Sequence, residues 1–254
     1  MADQEVTTNN SEVDEEEELG GEMSFLDHLE ELRWRLIYSL IGLVVGAAIC
    51  WIFINFLINN ILLKPAIDSG TKLQNLRPFG QVFLYVQVAI IGGIILSLPN
   101  IFYQLWKFIA PALRKNERKY ALLVVFYSTI CFLIGIVFAY FVMLPFVFKF
   151  AEQFGTKEIA NQFAIDEYLS IIISIMLGAG IIFELPMISF FLTKLGILKP
   201  EHMKKYRKHA IVVVFVVSAF LTPPDPVSQI ILAVPLVLLY EISIFISKIT
   251  VKKS

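Results

Sequence analysis

Five carboxylates stand where a chain of this composition has least reason to place them. Glu184 lies inside the run Tyr168 to Thr193, which is otherwise free of charge. A charge deep in an apolar phase costs from about 2.5 kcal/mol upward, so such a group faces a bundle interior or a water-filled cavity and marks a candidate functional residue. Glu31 sits beside Glu30, Arg33 and Arg35 just ahead of the first apolar run. It either pairs with Arg35 at i,i+4, worth about 0.2–0.5 kcal/mol, or is presented at a membrane surface to a cationic partner. Glu117 is the one acid between Phe108 and Lys119, among Arg114, Lys115, Arg118 and Lys119. Those cations favour its ionised form, and a solvated local ion pair is the plainer reading. Asp225, in Leu221-Thr-Pro-Pro-Asp-Pro226, caps a tight connection, and Glu241 lies near the end of the last apolar run, where it can snorkel to the interface.

None of these groups belongs to a catalytic set. The chain has no Gly-rich phosphate loop, no His-Glu-x-x-His and no Cys-x-x-Cys, and His28, His202 and His209 lack metal-ligand spacing. Cys50 and Cys131 sit in apolar runs as packing residues. No enzyme, cofactor, metal site or nucleic-acid partner is expected.

The elements that must hold these carboxylates are membrane spans. The 254 residues are 57% hydrophobic and 17% charged, against about 45–50% and 25% for a soluble domain. Stretches of 28, 29 and 29 residues without Asp, Glu, Lys or Arg separate Arg35 from Lys64, Arg77 from Lys107 and Lys119 from Lys149, and a spanning helix needs about 20. Three more runs bring the count to six helices, at about 36–58, 80–106, 120–146, 167–193, 209–223 and 227–247. The fifth and sixth are expected to be short, with about 14–16 core residues each, roughly 21–24 Å against a hydrocarbon core of about 30 Å. The fold class is therefore an all-α integral membrane protein, with a six-helix membrane domain over 23–248 and a basic cytoplasmic tail over 249–254.

Sixteen of the 21 Lys and Arg residues fall on the side that holds the N-terminus, which places both termini in the cytoplasm. Trp34, Trp106 and Tyr206 flank the inner ends as interfacial aromatics. Residues 1–22 carry nine acids and no Lys or Arg and read as a disordered cytoplasmic tail, whose charge is able to compete for the cytoplasmic Lys/Arg clusters. From there a helix starts at the capping-box-like Ser24 and Asp27. Phe25, Leu29, Leu32 and Leu36 form one apolar stripe, so this helix is expected to lie on the inner membrane surface and feed into the first span.

A short internal echo pairs Gly93-Ile-Ile-Leu-Ser-Leu-Pro-Asn-Ile101 with Gly180-Ile-Ile-Phe-Glu-Leu-Pro-Met-Ile188. It is either a parallel repeat, as some transporters have, or two Gly/Pro-bearing helices that pack alike, which is the simpler account. Gly42-x-x-x-Gly46 either lets a neighbouring helix come close or arises by chance in so apolar a run.

Four segments resemble the TatC family, the polytopic subunits of the twin-arginine protein translocase. They are Phe25-Leu-Asp-His-Leu-Glu-Glu-Leu-Arg-Trp-Arg35; Phe108-Ile-Ala-Pro-Ala-Leu with Asn-Glu-Arg-Lys119; Phe138-Ala-Tyr-Phe and Leu144-Pro145 with Phe183-Glu-Leu-Pro186; and Leu221-Thr-Pro-Pro-Asp-Pro-Val-Ser-Gln229 with Ala233-Val-Pro-Leu and Tyr240-Glu-Ile242. The resemblance implies a signal-peptide receptor and core subunit that exports folded proteins across the cell membrane using the proton-motive force. It implies an oligomeric complex with TatA- and TatB-type single-span partners, in contact with membrane lipid. Carried over by motif, Glu31 and Glu117 would read the arginine pair, with Phe108 beside them and Leu32, Arg33 and Arg35 completing the site. Glu184 would be the polar residue inside the bundle, and Asp225 and Gln229 would belong to a partner-contact region at the outer hairpin. The stretches Phe79-Gly80-Gln81 and Tyr85-Val86-Gln87 depart from the family, which often has an acid and a lysine there. The alternative is a proton-coupled small-molecule transporter that uses Glu184 as carrier.

Overall fold

The computed structural model describes residues 25–68, 72–110, 121–153, 162–221 and 226–252. The acidic tail, Glu117 and Asp225 lie outside these residues. Helix α1 (Phe25–Ile52) continues through Ile54–Phe56 and a π-helical stretch, Leu57–Leu62, into the short α2 (Lys64–Asp68). After strand β1 (Lys72–Gln74), α3 runs over Gly80–Ile109. Helix α4 (Ala121–Phe138) passes through a π-helical stretch, Ala139–Met143, into α5 (Leu144–Gln153). Strand β2 (Gln162–Ala164) leads to α6 (Ile165–Phe183) and α7 (Leu185–Lys194), followed by α8 (Pro200–Lys205), α9 (Arg207–Leu221) and α10 (Pro226–Lys252).

Among the described residues, five stretches are helical, long and apolar enough to cross a bilayer: Leu26–Ile52, Gly80–Ile109, Leu122–Phe150, Ile165–Lys194 and Gln229–Val251. The amphipathic N-terminal segment and the first span form one continuous helix. The fifth predicted span is α9, whose 15 residues reach roughly 22 Å and fall short of a bilayer core. The sixth is not short: α10 has 27 residues, or roughly 40 Å. Glu241 and Lys248 do not end it. Arg207 grips Glu241 through Nε–Oε1 at 2.7 Å and Nη2–Oε2 at 2.8 Å. Beyond it, Ser243, Ser247 and Thr250 are buried, and Ser247 shares a 2.7 Å hydroxyl–hydroxyl hydrogen bond with Thr193 of α7. Small hydroxyl residues suit such a seam, because hydrocarbon side chains gain nothing from leaving a hydrocarbon solvent and close packing must hold the helices.

Glycines bring two helix pairs into close contact. A Cβ on Gly46 would stand 2.7 Å from the Gly93 carbonyl oxygen, and one on Gly93 would stand 2.6 Å from the Ala47 nitrogen, so α1 and α3 touch backbone to backbone. Gly135 of α4 and Gly180 of α6 do the same for the second pair: a Cβ on Gly135 would lie 2.8 Å from the Ala179 oxygen. The echoed glycines both sit at close helix contacts, Gly93 against the Ala47 backbone and Gly180 against the Phe132 ring. The echoed prolines behave differently. Pro99 lies inside an unbroken α3, whereas the helix breaks at Glu184 and Pro186 falls in the first turn of α7, where a missing N–H costs nothing.

At the end of the bundle where α1 meets α2, β1 pairs with β2 in parallel, Leu73 opposite Phe163, and Arg77 Nε meets Asp166 Oδ2 at 3.1 Å. The fully buried Tyr168 donates its hydroxyl to the Leu62 carbonyl at 2.6 Å and accepts from the Ala66 amide at 3.1 Å. The Tyr140 hydroxyl donates to the Ile61 carbonyl at 2.8 Å. A π-helical turn shifts the backbone ladder by one residue, and these phenols satisfy carbonyls that the shift leaves over.

Candidate functional site

The last turns of α3 divide the opposite end of the bundle into two polar sites. Asn100, Gln104 and Phe108 recur every four residues and face α1. Asn100 Nδ2 donates to the Tyr38 carbonyl at 3.1 Å, and Gln104 Nε2 donates to Asn100 Oδ1 at 3.4 Å. Arg35 completes the chain, donating from Nη1 to Gln104 Oε1 at 3.4 Å and from Nη2 to Glu31 Oε1 at 2.7 Å. One turn further out, His28 stacks on Phe108 with ring centroids 4.4 Å apart.

This arrangement inverts what an amphipathic helix does on a soluble protein. The apolar stripe of α1 points outward, with Leu36 69% exposed and Leu29 and Leu32 exposed as well. Of the charged residues, Glu31 and Arg35 turn toward α3, where their side chains are only 17% and 21% accessible, while Asp27, Glu30 and Arg33 stay exposed. In a hydrocarbon solvent the outward stripe costs nothing, and polar groups that must be satisfied turn to one another. The satisfaction is incomplete. Among the described residues, Glu31 Oε2 and Arg35 Nε are buried without a hydrogen-bond partner, so one spare acceptor and one spare donor remain in the same pair. Arg33 is exposed and lies 5.3 Å from the ring centre of Trp34.

The other face of α3 turns Phe102, Leu105, Trp106 and Ile109 toward α4 and the α6–α7 break. They enclose, with Ser128, Glu184 and Phe191, a cavity of about 140 Å³. Glu184 is only 6% exposed, and Ser128 hydrogen-bonds its carboxyl group. Its Oε1 and the Trp106 indole nitrogen are both buried without partners among the described residues. Trp106 is therefore no interfacial anchor, as its place at the span's end suggested: it packs edge-on against Phe191 at 4.8 Å, inside the bundle.

Of the residues singled out from sequence, Glu31, Arg35 and Phe108 are gathered on one side of α3, with Leu32 and Arg33 at their rim. Glu184 is brought to the other side. Gln229 is elsewhere, donating from Nε2 to the Phe215 carbonyl at 2.9 Å and tying α10 to α9. Glu117 and Asp225 lie outside the described residues. Sequence reasoning missed His28, Gln104 and Trp106. Asn100, Gln104 and Phe108 at spacing four in an uncharged run were a legible signal for the first site, but nothing in the sequence sets His28 against Phe108, 80 residues away.

Comparison with known proteins agrees with this geometry. Residues 27–235 match the family described as Sec-independent protein translocase protein (TatC). The TatC proteins of Carboxydothermus hydrogenoformans and Helicobacter pylori are 39% and 42% identical to this chain over 227 and 221 residues. The alignments cover 89% and 87% of this chain and 93% and 86% of those proteins. Among solved structures, a crystal structure of the twin-arginine translocase receptor TatC superposes with a TM-score of 0.79 at 35% identity, over 88% of this chain and 99% of that one. Fold and site thus define a polytopic membrane subunit of a protein-transport machine, with its polar groups turned inward. The chain belongs to the TatC family of Sec-independent protein translocase subunits. These relatives are translocase proteins, and the small-molecule transporter reading is set aside.

Proposed function

We propose that this TatC-family subunit is the receptor for twin-arginine signal peptides and that Glu31 reads one of the two arginines. What carries the reading is the half-satisfied pair: Glu31 Oε1 is held by Arg35, while Oε2 is buried without a partner among the described residues. A guanidinium from the signal supplies the missing donors to that oxygen, and its planar fork does what a lysine ammonium cannot. Arg35, itself fixed by Gln104, keeps the carboxylate oriented. Phe108, with His28 stacked on it, offers an aromatic face beside the carboxylate for cation–π contact. Glu117 is the second carboxylate, and Leu32 and Arg33 form the rim.

In this reading the chain lies in the cytoplasmic membrane as six spans with both termini inside, and α9 and α10 form its last hairpin. It works as the core of an oligomeric complex with TatA- and TatB-type single-span partners, which Gln229 and Asp225 contact, and it draws on the proton-motive force. The apolar part of the signal then packs near Glu184. The test is binding of a fluorescent Arg-Arg signal peptide and its Lys-Lys counterpart to the purified full-length protein. Tight binding of the Arg-Arg peptide alone, weakened by Glu31→Ala and Glu117→Ala, is the expected result. Equal binding of both peptides overturns the reading.

A further inference from the structure

A cavity remote from both polar sites plays no part in signal reading. It lies at the opposite end of the bundle, where the first and third spans end, and has a volume of about 670 Å³, within the roughly 300–1,000 Å³ of ligand sites. Its walls are apolar, from Ile136, Val137 and Phe141 of the third span and Ile61 of the first, and three charged side chains line it as well: Lys64, Asp68 and Lys149. Val137 and Phe141 are exposed, so the crevice opens sideways, where hydrocarbon tails surround the bundle. Among the described residues none of the three charges has an ion-pair partner. The backbone beneath is braced, because the Tyr140 hydroxyl that borders the crevice holds the Ile61 carbonyl.

We propose that this crevice is a binding site for a zwitterionic aminophospholipid. Apolar walls open to the bilayer take an acyl chain, and the two lysines take the phosphodiester as its point-charge partners. The third group selects among headgroups. The carboxylate beside the two lysines accepts hydrogen bonds from a primary ammonium, which an anionic headgroup lacks, whereas a quaternary ammonium has no N–H to donate. Phosphate and amine of one ethanolamine headgroup therefore complement Lys64, Lys149 and Asp68 together. The lipid would seat the α1–α2 junction against the third span and is independent of the signal-peptide reading.

Native mass spectrometry of the full-length protein in detergent, titrated with phosphatidylethanolamine, phosphatidylcholine and phosphatidylglycerol, tests the site. The wild type is expected to retain phosphatidylethanolamine most tightly. The Lys64→Ala/Lys149→Ala variant should bind it about thirtyfold more weakly, as the loss of two lysine contacts at a lipid surface implies. Asp68→Asn should bind the ethanolamine and choline lipids equally while still holding both. Val137→Trp, which fills the crevice and keeps every charge, should lose both lipids and controls for misfolding of the lysine variant. The proposal is overturned if the double lysine variant and Val137→Trp retain phosphatidylethanolamine as the wild type does, or if the wild type prefers phosphatidylglycerol.

Discussion

Replacing Glu31 by Gln isolates the charge on which recognition of an arginine would depend. The side chain keeps its shape, and among the described residues the contact it disturbs is the one with Arg35. The intramolecular cost is small: the Glu31–Arg35 pair is an i,i+4 contact worth about 0.2–0.5 kcal/mol, so the unfolding midpoint should barely move. The cost to binding is larger. A hydrogen bond to a charged group contributes about 1.5–3 kcal/mol, and the Glu31 carboxylate is 17% accessible, well below the exposure at which solvent screening takes most of it. Loss of the guanidinium–Oε2 bond should weaken an Arg-Arg peptide about 10- to 150-fold. The assay is a double-mutant cycle by fluorescence anisotropy, with Glu31→Gln on the protein and Arg→Lys at each arginine of the peptide. One of the two peptide positions should couple to Glu31 and the other should not. Equal affinity of Glu31→Gln and wild type for the Arg-Arg peptide, or a uniform loss for Arg-Arg and Lys-Lys peptides, would refute the reasoning.

Further outcomes follow from packing. Tyr168→Phe removes the hydroxyl that serves Leu62 and Ala66 and should cost about 1–3 kcal/mol, read as a lower thermal midpoint in detergent. Gly93→Val drives a side chain into the α1 backbone at Ala47; overpacking of about 1–3 kcal/mol or more should reduce the yield of monodisperse protein, whereas Gly196→Ala, with φ of 71° but open space around it, should cost only about 1 kcal/mol. The Arg207–Glu241 pair is bidentate but 47% and 39% accessible, so a double-alanine cycle should return a coupling of about 0.2–1 kcal/mol. Glu184→Leu removes a buried carboxyl oxygen that has no partner among the described residues and should raise the thermal midpoint while lowering transport; a lower midpoint would mean that Glu184 contributes to folding.

The sequence by itself determined that this is a helical membrane protein, because 28 or 29 consecutive uncharged residues leave the backbone no solvent but its own hydrogen bonds. It also determined which carboxylates stand out, since a charge in such a run is costly wherever it points. It misjudged α10, because Glu241 read as a boundary and only folding brings Arg207 to it across 34 residues of chain. The same limit applies to Trp106, whose position at the end of a span resembles that of an interfacial anchor until α7 covers it. In water, an apolar stripe tells which side of a helix faces the core. In a bilayer it tells only which side tolerates lipid, so Leu29, Leu32 and Leu36 left the orientation of α1 open. What turned Glu31 and Arg35 inward was the long-range partner Gln104, 69 residues from Arg35, together with the Gly46–Gly93 contact that brings α1 and α3 close enough for those side chains to meet. Such partnerships depend on which helices pack together, and in an apolar solvent that choice rests on close packing and buried hydrogen bonds, which no periodicity along one segment encodes.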